Sequence, residues 1–294
     1  MNTIAPTVVL TQDQIAFYHR EGYLVLDAIT TQEEVAWLRE VYDRLFEARA
    51  GREAGDQFDL AGTDAEGQPA ALPQILGPSK YAPELKEGLF RVNTLAIARQ
   101  LLGANAEPMG EHAIFKPART GAETPWHQDE AYWDPALDYE SLSIWIPLQE
   151  ATLANGCMRF VPGSHQRQVL THHSINDDPR IHGLEVDAVD VSTAVACPIP
   201  AGGATIHHNR TLHYTGPNDS DVPRRAYILI FGRKPTQRTE ARDFYWKREK
   251  QTARQQRADQ ARQQADAEAG KGPRISVACP VENHVAPHAG DSRR

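Results

Sequence analysis

Cysteine is scarce in this chain of 294 residues, and long apolar runs are absent from it. The three cysteines, Cys157, Cys197 and Cys279, are widely spaced, which excludes both a zinc-binding spacing and a disulfide framework, and free thiols indicate a reducing compartment. No apolar stretch approaches the ~18 residues that a membrane-spanning helix needs, and residues 1–10 lack the basic region of a signal peptide. These absences predict a cytoplasmic protein without a membrane partner.

Excess positive charge is also missing, since 31 basic residues stand against 39 acidic ones and the net charge is −8. This balance disfavours a protein that binds nucleic acid by general electrostatics. The apolar fraction of 40% is ordinary for a globular protein, and the length suffices for a core that needs no disulfide or structural metal. We expect one domain over residues 1–268, followed by a flexible tail over residues 269–294.

Helical patterns flank the centre of the chain. Thr11 and Gln14 have the spacing of a capping box at the start of a helix over residues 11–21, which Gly22 ends. A second helix begins after Thr30 or Thr31, and residues 83–102 favour a third. The Ala-, Gln- and Arg-rich residues 239–268 predict an exposed C-terminal helix.

Between about residues 109 and 233 the pattern changes to short β-branched and aromatic runs separated by turns. Their length and spacing predict an all-β sandwich or barrel with little room for helices between the strands. Residues 51–73 have the composition of a long polar loop, and such loops in compact domains are often functional. We therefore expect residues 57–80, including Gln74 and Ile75, to form a lid ahead of the core. The predicted strands cover residues 142–148, 158–161, 194–199, 204–206 and 226–231.

The first candidate site is the segment Thr124-Pro-Trp-His127-Gln-Asp129. Side chains two residues apart on an extended strand point to the same side. An imidazole and a carboxylate that converge in this way suit a divalent metal of borderline hardness. Taken alone, however, such a pair is more often a surface histidine beside a solvated aspartate.

A second segment, Thr211-Leu-His213-Tyr-Thr215-Gly-Pro-Asn218, supplies a third ligand. His213 would complete a facial triad of two histidines and one carboxylate, which leaves three positions of an octahedral iron open. Arg224 follows eleven residues after His213, across a turn, where a guanidinium group can grip a carboxylate in bidentate fashion. The hydroxyl group of Thr215 can add a hydrogen bond to the same carboxylate.

Three blocks together resemble the phytanoyl-CoA dioxygenase family of iron(II)- and 2-oxoglutarate-dependent oxygenases. The resemblance spans about residues 110–233, and the helical start of the chain is similar too. It implies a mainly β fold with flanking α-helices, in which a double-stranded β-helix (a jelly-roll, cupin-like core) follows N-terminal helices. The blocks are Trp126-His127-Gln128-Asp129, then Asn155-Gly156-Cys-Met-Arg-Phe-Val-Pro162-Gly163-Ser164-His165, and finally His213-Tyr-Thr-Gly216-Pro-Asn218 with Arg224.

The resemblance also implies roles for individual residues. The residues that would bind Fe(II) are His127, Asp129 and His213. The residues that would contact the co-substrate 2-oxoglutarate are Arg224, which would hold its distal carboxylate, Thr215, Trp133 and Lys116. Candidates for the substrate pocket are Gln74, Trp145 and Arg159.

Neighbouring residues compete for two of these roles. His207 and His208 lie shortly before His213, but neither is followed by Gly-Pro-Asn at the family's distance. Arg225 competes with Arg224. Because adjacent residues of a strand face opposite sides, only one of the two arginines can point into the barrel, and the spacing favours Arg224.

The resemblance implies an oxidoreductase that uses Fe(II), 2-oxoglutarate and O2 to oxidise an unactivated C–H bond, releasing succinate and CO2. The family's substrates range from acyl-CoA thioesters to amino-acid-like solutes and secondary metabolites, so the motifs do not name the substrate, and we expect a free small metabolite. Related halogenases carry a small residue in place of Asp129, so the carboxylate favours hydroxylation, desaturation or ring closure over halogenation. Two interpretations from other classes stay open: a jelly roll that binds a metal and a small ligand without turnover, and a scaffold that binds partners through residues 239–268. A structural zinc protein is disfavoured because no cysteine pair lies near the histidines.

Overall fold

The computed structural model describes residues 4–119, 122–187 and 189–269. Within these ranges the helices are α1 (Gln12–Glu21), α2 (Gln32–Glu47), α3 (Leu89–Leu102), α4 (Tyr245–Glu249) and α5 (Ala253–Glu268). The strands are β1 (Tyr23–Leu26), β2 (Gln57–Asp59), β3 (Pro73–Leu76), β4 (Glu107–Lys116), β5 (Thr124–His127), β6 (Leu137–Asp138), β7 (Ser141–Pro147), β8 (Met158–Phe160), β9 (His173–Ser174), β10 (Leu184–Glu185), β11 (Val195–Cys197), β12 (Ala204–His208), β13 (His213–Thr215), β14 (Arg224–Gly232) and β15 (Thr236–Gln237).

Two antiparallel sheets form the predicted jelly-roll core. The larger has the strand order β1-β12-β7-β14-β4-β3-β2, and the smaller has the order β11-β8-β13-β5. Apolar side chains from both sheets meet between them, and the rings of Tyr23 and Phe160 stack across the gap at 4.9 Å. Two short pairs, β6 with β15 and β9 with β10, lie outside these sheets. The mainly β fold class predicted from the sequence is confirmed.

The central strands β7 and β14 of the larger sheet are buried on both faces. On β14, Ile228 and Ile230 point between the sheets, whereas Tyr227 and Leu229 pack against the helices on the other side. Every residue of β7 is buried as well. Because side chains alternate along a strand, the uninterrupted apolar run over residues 226–231 of β14 matches a strand covered on both faces.

The first two helices begin where the sequence predicts. The Thr11 side chain accepts from the amide of Gln14, whose side chain in turn accepts from the amide of Thr11. Gly22 ends α1 with a φ of +81°, a conformation that glycine adopts without steric cost. Of the two candidate caps for the next helix, Thr31 is the one that accepts from the helix, at the amide of Glu34.

Two predictions about the segment before the core are wrong. Residues 57–80 are not one continuous loop, because β2 and β3 extend the larger sheet and β3 pairs with β4, and only residues 60–72 between them lack a helix or strand. The polar composition hid these strands, which are three and four residues long. Residues 83–102 do not form one helix either: a 3₁₀ turn over Pro83–Lys86 precedes α3, and Gly88 separates them with a φ of +112°.

The C-terminal segment differs from the single exposed helix predicted for residues 239–268. The helices α4 and α5 are separated at Lys250, and Phe244 and Trp246 are buried against the core. The helix α5 has no fully buried residue. The predicted tail beyond residue 269 and Cys279 lie outside the described residues. None of the described helices combines the length and the apolar character needed to cross a bilayer.

Candidate active site

A cavity of about 310 Å³ opens between the two sheets. One end of it is lined by His127, Asp129 and His213, together with Arg224. The other end is lined by the residue that follows β2 and by residues from β3, the loop before β10 and the helix α5. We refer to these as the cofactor end and the substrate end. The substrate end comprises Leu60, Gln74, Leu76, His182 and Arg254.

The fold brings the three predicted metal ligands together. His127 ends β5 and lies directly opposite His213 of β13 in the sheet. Asp129 begins the 3₁₀ turn that follows β5. Its Oδ1 lies 3.8 Å from Nε2 of His127 and 3.5 Å from Nε2 of His213. One donor atom from each residue lies within 4.8 Å of the others, which is the separation that ligands of one metal ion require.

Backbone hydrogen bonds orient both imidazole rings. The Nδ1 of His127 lies 2.7 Å from the carbonyl oxygen of Pro125, and the Nδ1 of His213 lies 2.8 Å from that of Thr211. A ring that donates through Nδ1 presents an unprotonated Nε2 to a metal. Burial, reinforced by the neighbouring His213, lowers the pKa of His127 to about 3, so this ring is neutral in neutral solution. The two histidines are therefore ready to bind a cation.

The carboxylate of Asp129 is oriented by two residues that the sequence analysis did not place in the site. Its Oδ2 accepts from Ser143 Oγ at 2.7 Å and lies 3.2 Å from Nε2 of His207, which leaves Oδ1 facing the histidines. Burial opposes ionisation, but His213 and His207 outweigh it and hold the pKa of Asp129 well below its ordinary range. The signal in the sequence was the alternation of Ser143 with apolar residues on β7, which marks a polar group facing the cavity.

This set of donors fits ferrous iron. Two imidazoles and one carboxylate on one side of a cavity are the ligands of non-haem iron oxygenases, and they leave coordination positions open toward the cavity. The competitor His207 is a neighbour of the carboxylate rather than a third ligand of the set, and His208 accepts instead from the amide of Arg210. The choice of His213 over these two histidines matches the geometry.

Arg224 carries a charge that lacks a partner within the described residues. It is 1% exposed, and its Nε and Nη1 have no hydrogen-bond acceptor. The guanidinium carbon lies 5.2 Å from the ring centre of Trp145, and the hydroxyl group of Thr215 is likewise buried without a partner. Burial lowers the pKa of Arg224 to about 9, so it stays charged at neutral pH. A buried cation of this kind needs an anion, and a carboxylate of 2-oxoglutarate fits.

Arg225 and Lys116, the neighbours of Arg224, make their contacts outside the cavity. Arg225 points away from the cavity and forms an ion pair with Asp43 at 2.7 Å and 2.9 Å, as strand alternation predicts. Lys116 lies opposite Arg224 in the sheet, but it does not line the cavity, and its ammonium group donates to the carbonyl oxygens of Ala122, Thr215 and Gly216. Since an ammonium group has three N–H donors, the predicted contact of Lys116 with 2-oxoglutarate is corrected to support of the β13 turn.

The remaining predicted residues divide between the cavity and the surface. Trp133, Trp145 and Gln74 line the cavity. Arg159 does not, because it lies between the inward-facing Met158 and Phe160 on β8 and is therefore exposed on the outer face of the smaller sheet. The placement of Arg159 in the substrate pocket is thus wrong, for the alternation reason that favoured Arg224 over Arg225.

The glycines and Asn218 of the second and third blocks support the site without lining it. Gly156 has a φ of +81°, and a Cβ there would lie 2.3 Å from the carbonyl oxygen of Gly216, so the second and third blocks touch through a glycine. The side chain of Asn218 donates to the carbonyl oxygens of Lys116, Pro117 and Val222. These contacts fix the turn from which Arg224 enters the cavity.

Comparison with known protein families supports the same chemistry. Residues 18–226 match the family model described as phytanoyl-CoA dioxygenase. A probable alpha-ketoglutarate-dependent hypophosphite dioxygenase of Stutzerimonas stutzeri is 29% identical over 72% of this chain and 75% of its own length. An ectoine dioxygenase of Bordetella parapertussis is 27% identical over 76% of this chain and 75% of its own length.

Two solved structures extend the comparison. EvdO2 of Micromonospora carbonacea var. aurantiaca, solved in complex with 2-oxoglutarate, is 40% identical, covers 83% of this chain and 99% of its own, and superposes with a TM-score of 0.71. SnoK, a non-haem alpha-ketoglutarate-dependent carbocyclase from nogalamycin biosynthesis, is 25% identical, covers 83% of this chain and 93% of its own, and has a TM-score of 0.64.

Proposed function

The chain belongs to the phytanoyl-CoA dioxygenase family and is a dioxygenase that uses Fe(II), 2-oxoglutarate and O2, and on this basis we propose that it hydroxylates an unactivated C–H bond of a free small-molecule metabolite. In the overall reaction, one oxygen atom enters the C–H bond of the substrate as a hydroxyl group. The other enters succinate, as 2-oxoglutarate loses CO2. The observation that carries the proposal is the unpartnered guanidinium group of Arg224 beside the triad of His127, Asp129 and His213.

The protein's own contribution begins with the metal. His127 and His213 would bind through Nε2, because backbone carbonyls hold their Nδ1 atoms. Asp129 would bind through Oδ1, because Ser143 and His207 occupy its Oδ2. Iron and dioxygen, when bound, supply the oxidising power. The carboxylate ligand also distinguishes this site from a halogenase site, so the proposed outcome is hydroxylation or a related desaturation or ring closure.

The second contribution is the orientation of the co-substrate. Arg224 would hold the distal carboxylate of 2-oxoglutarate in bidentate fashion, with the hydroxyl group of Thr215 donating to the same carboxylate. The indole ring of Trp145 covers the guanidinium group, and this keeps water away from the ion pair. Trp133 would form a nearby wall of the cavity.

The test of this proposal is succinate formation. Purified protein supplied with Fe(II), ascorbate, 2-oxoglutarate and O2 should form succinate and CO2, and candidate metabolites that fit the cavity should accelerate this turnover. The hydroxylated product, identified by mass spectrometry with ¹⁸O2, should carry one atom of ¹⁸O. A protein that binds iron and 2-oxoglutarate but forms no succinate with any metabolite would be a binding module, and the proposal would fail.

A further inference from the structure

The substrate end of the cavity contains a second arginine that the proposed function does not use. Arg254 belongs to the first turn of α5 and lines the cavity. Within the described part of the chain it forms no ion pair and no side-chain hydrogen bond, and its Nε is buried without a partner. Its guanidinium carbon lies 5.0 Å from the ring centre of Phe58. A partly buried cation that has no anionic partner among the described residues gives up hydration without compensation, so its presence in a binding cavity indicates a ligand.

Arg254 is held in this position by its neighbours on both sides. Before it, Lys250 donates to the carbonyl oxygens of Ile181 and His182 at 2.8 Å and 2.7 Å. After it, Arg257 donates to the carbonyl oxygens of Arg52 and Gln57 and forms an ion pair with Asp64. The start of α5 is thereby fixed to both walls of the substrate end. These contacts of its helix hold Arg254 in the wall of the cavity.

No acidic side chain of the described residues neutralises Arg254. Burial lowers the pKa of Arg254 and Asp56 opposes this shift, but the carboxylate of Asp56 accepts from Lys80 and Tyr81 instead. Next to Arg254, burial also lowers the pKa of His112 and of His182, and the charge of Arg254 reinforces both shifts. Both imidazoles are thus neutral, and Arg254 is the charged side chain among the residues that line the substrate end.

The charges of the cofactor end balance without help from Arg254. Under the proposed function, ferrous iron and Arg224 bring three positive charges, and Asp129 with the 2-oxoglutarate dianion brings three negative ones. The charge of Arg254 is therefore left for the remaining occupant of the cavity. The walls around it are apolar and aromatic, including Leu60, Leu76 and Phe58.

We propose that Arg254 is a specificity-determining residue that binds an oxyanion, a carboxylate or a phosphate, at the end of the substrate farther from iron, so that the substrate is an organic anion with an apolar body. This inference rests on the proposed function, because it assumes that 2-oxoglutarate occupies Arg224. Neutral Gln74, buried in the same part of the cavity, supplies further hydrogen-bonding groups.

The experiment measures binding with matched probes under anaerobic conditions, on protein loaded with Fe(II) and 2-oxoglutarate. Benzoate and phenyl phosphate are the anionic probes, and benzamide is the neutral one, each titrated by calorimetry. We expect the preferred anion to bind about tenfold to a hundredfold more tightly than benzamide, the range for a hydrogen bond to a charged group. Preference for benzoate would indicate a carboxylate substrate, and preference for phenyl phosphate a phosphorylated one.

Three variants test whether Arg254 causes the preference for an anionic probe over benzamide. Arg254→Met retains the bulk of the side chain and should remove the discrimination between anion and amide, whereas Arg254→Lys should restore part of it. Arg262→Met changes an exposed arginine of the same helix and should behave like the unaltered protein. Equal affinity for all probes, no binding of either anion, or discrimination that survives in Arg254→Met would overturn the proposal.

The visible charge-transfer absorption of the iron and 2-oxoglutarate chelate separates the two proposals. If the proposed function fails, the unaltered protein and Arg262→Met will either lack this absorption or show it without forming succinate. If only the role of Arg254 is wrong, the absorption will form normally in every variant while the anionic probes gain no advantage. A probe that displaces 2-oxoglutarate from Arg224 would be recognised because it would bleach the absorption.

Discussion

The two ends of the cavity are built in different ways. The cofactor end is made by strands and turns of the jelly roll, from β5, β7, β12, β13 and β14, and its side chains are fixed by backbone carbonyls and by one another. The substrate end is made largely by segments outside residues 109–233, among them Leu60 and Gln74 before the core and Arg254 after it. Under the two proposals, the chemistry would lie on the jelly-roll core and the selectivity on segments that flank it in sequence.

The largest expected effect is at the metal. Asp129→Ala removes the carboxylate ligand, so iron affinity should fall by more than the ~100-fold typical of losing a residue that only supports a ligand, and turnover should stop. Anaerobic iron titration followed by a succinate assay measures both. Asp221→Ala, at an exposed aspartate, is the control, and normal turnover by Asp129→Ala would refute the ligand assignment.

Arg224→Met tests whether Arg224, and not the adjacent Arg225, holds 2-oxoglutarate at the cofactor end. The variant should bind iron normally and 2-oxoglutarate roughly a hundredfold to several thousandfold more weakly, since a buried charge pair that loses one partner costs roughly 3–5 kcal/mol. Calorimetry with 2-oxoglutarate and the charge-transfer absorption measure the loss. The adjacent Arg225→Met removes an ion pair with Asp43 on the outer side and should leave 2-oxoglutarate affinity unchanged. If the two variants lose equal affinity, the guanidinium of Arg224 does not hold the co-substrate.

The sequence predicted the cofactor end better than the substrate end for a physical reason. The histidines and Asp129 sit beside short turn motifs whose spacing is visible locally, and strand alternation separated Arg224 from Arg225. Arg254 and Gln74 meet only because segments almost two hundred residues apart pack together, and no local periodicity encodes such a meeting. Helix caps such as Thr11 were predictable because their partner lies three residues away.

The two wrong predictions about the substrate end have a common origin. Residues 57–80 have a polar loop composition, yet β3 gains its order by pairing with β4, a partner far along the chain. Residues 239–268 have the composition of a solvated helix, yet Trp246 donates to the carbonyl oxygen of Ala131 and anchors the segment. In both cases tertiary contacts override local propensity.

A smaller effect is expected behind the metal ligands. Ser143→Ala removes one hydrogen bond to Oδ2 of Asp129, and loss of such support should weaken iron affinity about tenfold without changing the affinity for 2-oxoglutarate. Ser141→Ala is a matched control on the same strand, because the hydroxyl group of Ser141 is buried without a partner in the described structure. Equal iron affinity in the two variants would show that His207 alone orients the carboxylate.

His172 lies between the C-terminal segment and the segment that carries two of the metal ligands. His172 is fully buried and contacts the ring of Trp246 in the C-terminal segment, and its Nε2 accepts from the amide of Gln128, between two metal ligands. Burial lowers the pKa of His172 to about 4, against about 6.5 in the unfolded chain. Between pH 6.5 and pH 4 the unfolded state therefore binds a proton at His172 that the folded state does not bind. The free energy of unfolding that His172 contributes above pH 6.5 is lost as the pH falls toward 4.

By pH 5 the contribution of His172 to the free energy of unfolding has fallen by about 2 kcal/mol. Urea unfolding at pH 7 and at pH 5 measures this loss. His172→Gln cannot titrate, and its amide oxygen can still accept from Gln128, so the variant should lose less stability on acidification than the unaltered protein. The adjacent His173 is the control of opposite sign, because hydrogen bonds to Ser174 and Asp187 outweigh burial and raise its pKa. His173→Gln should therefore make the acid loss steeper, and an unchanged pH dependence in His172→Gln would show that this histidine does not couple the C-terminal segment to the metal site through its neutral form.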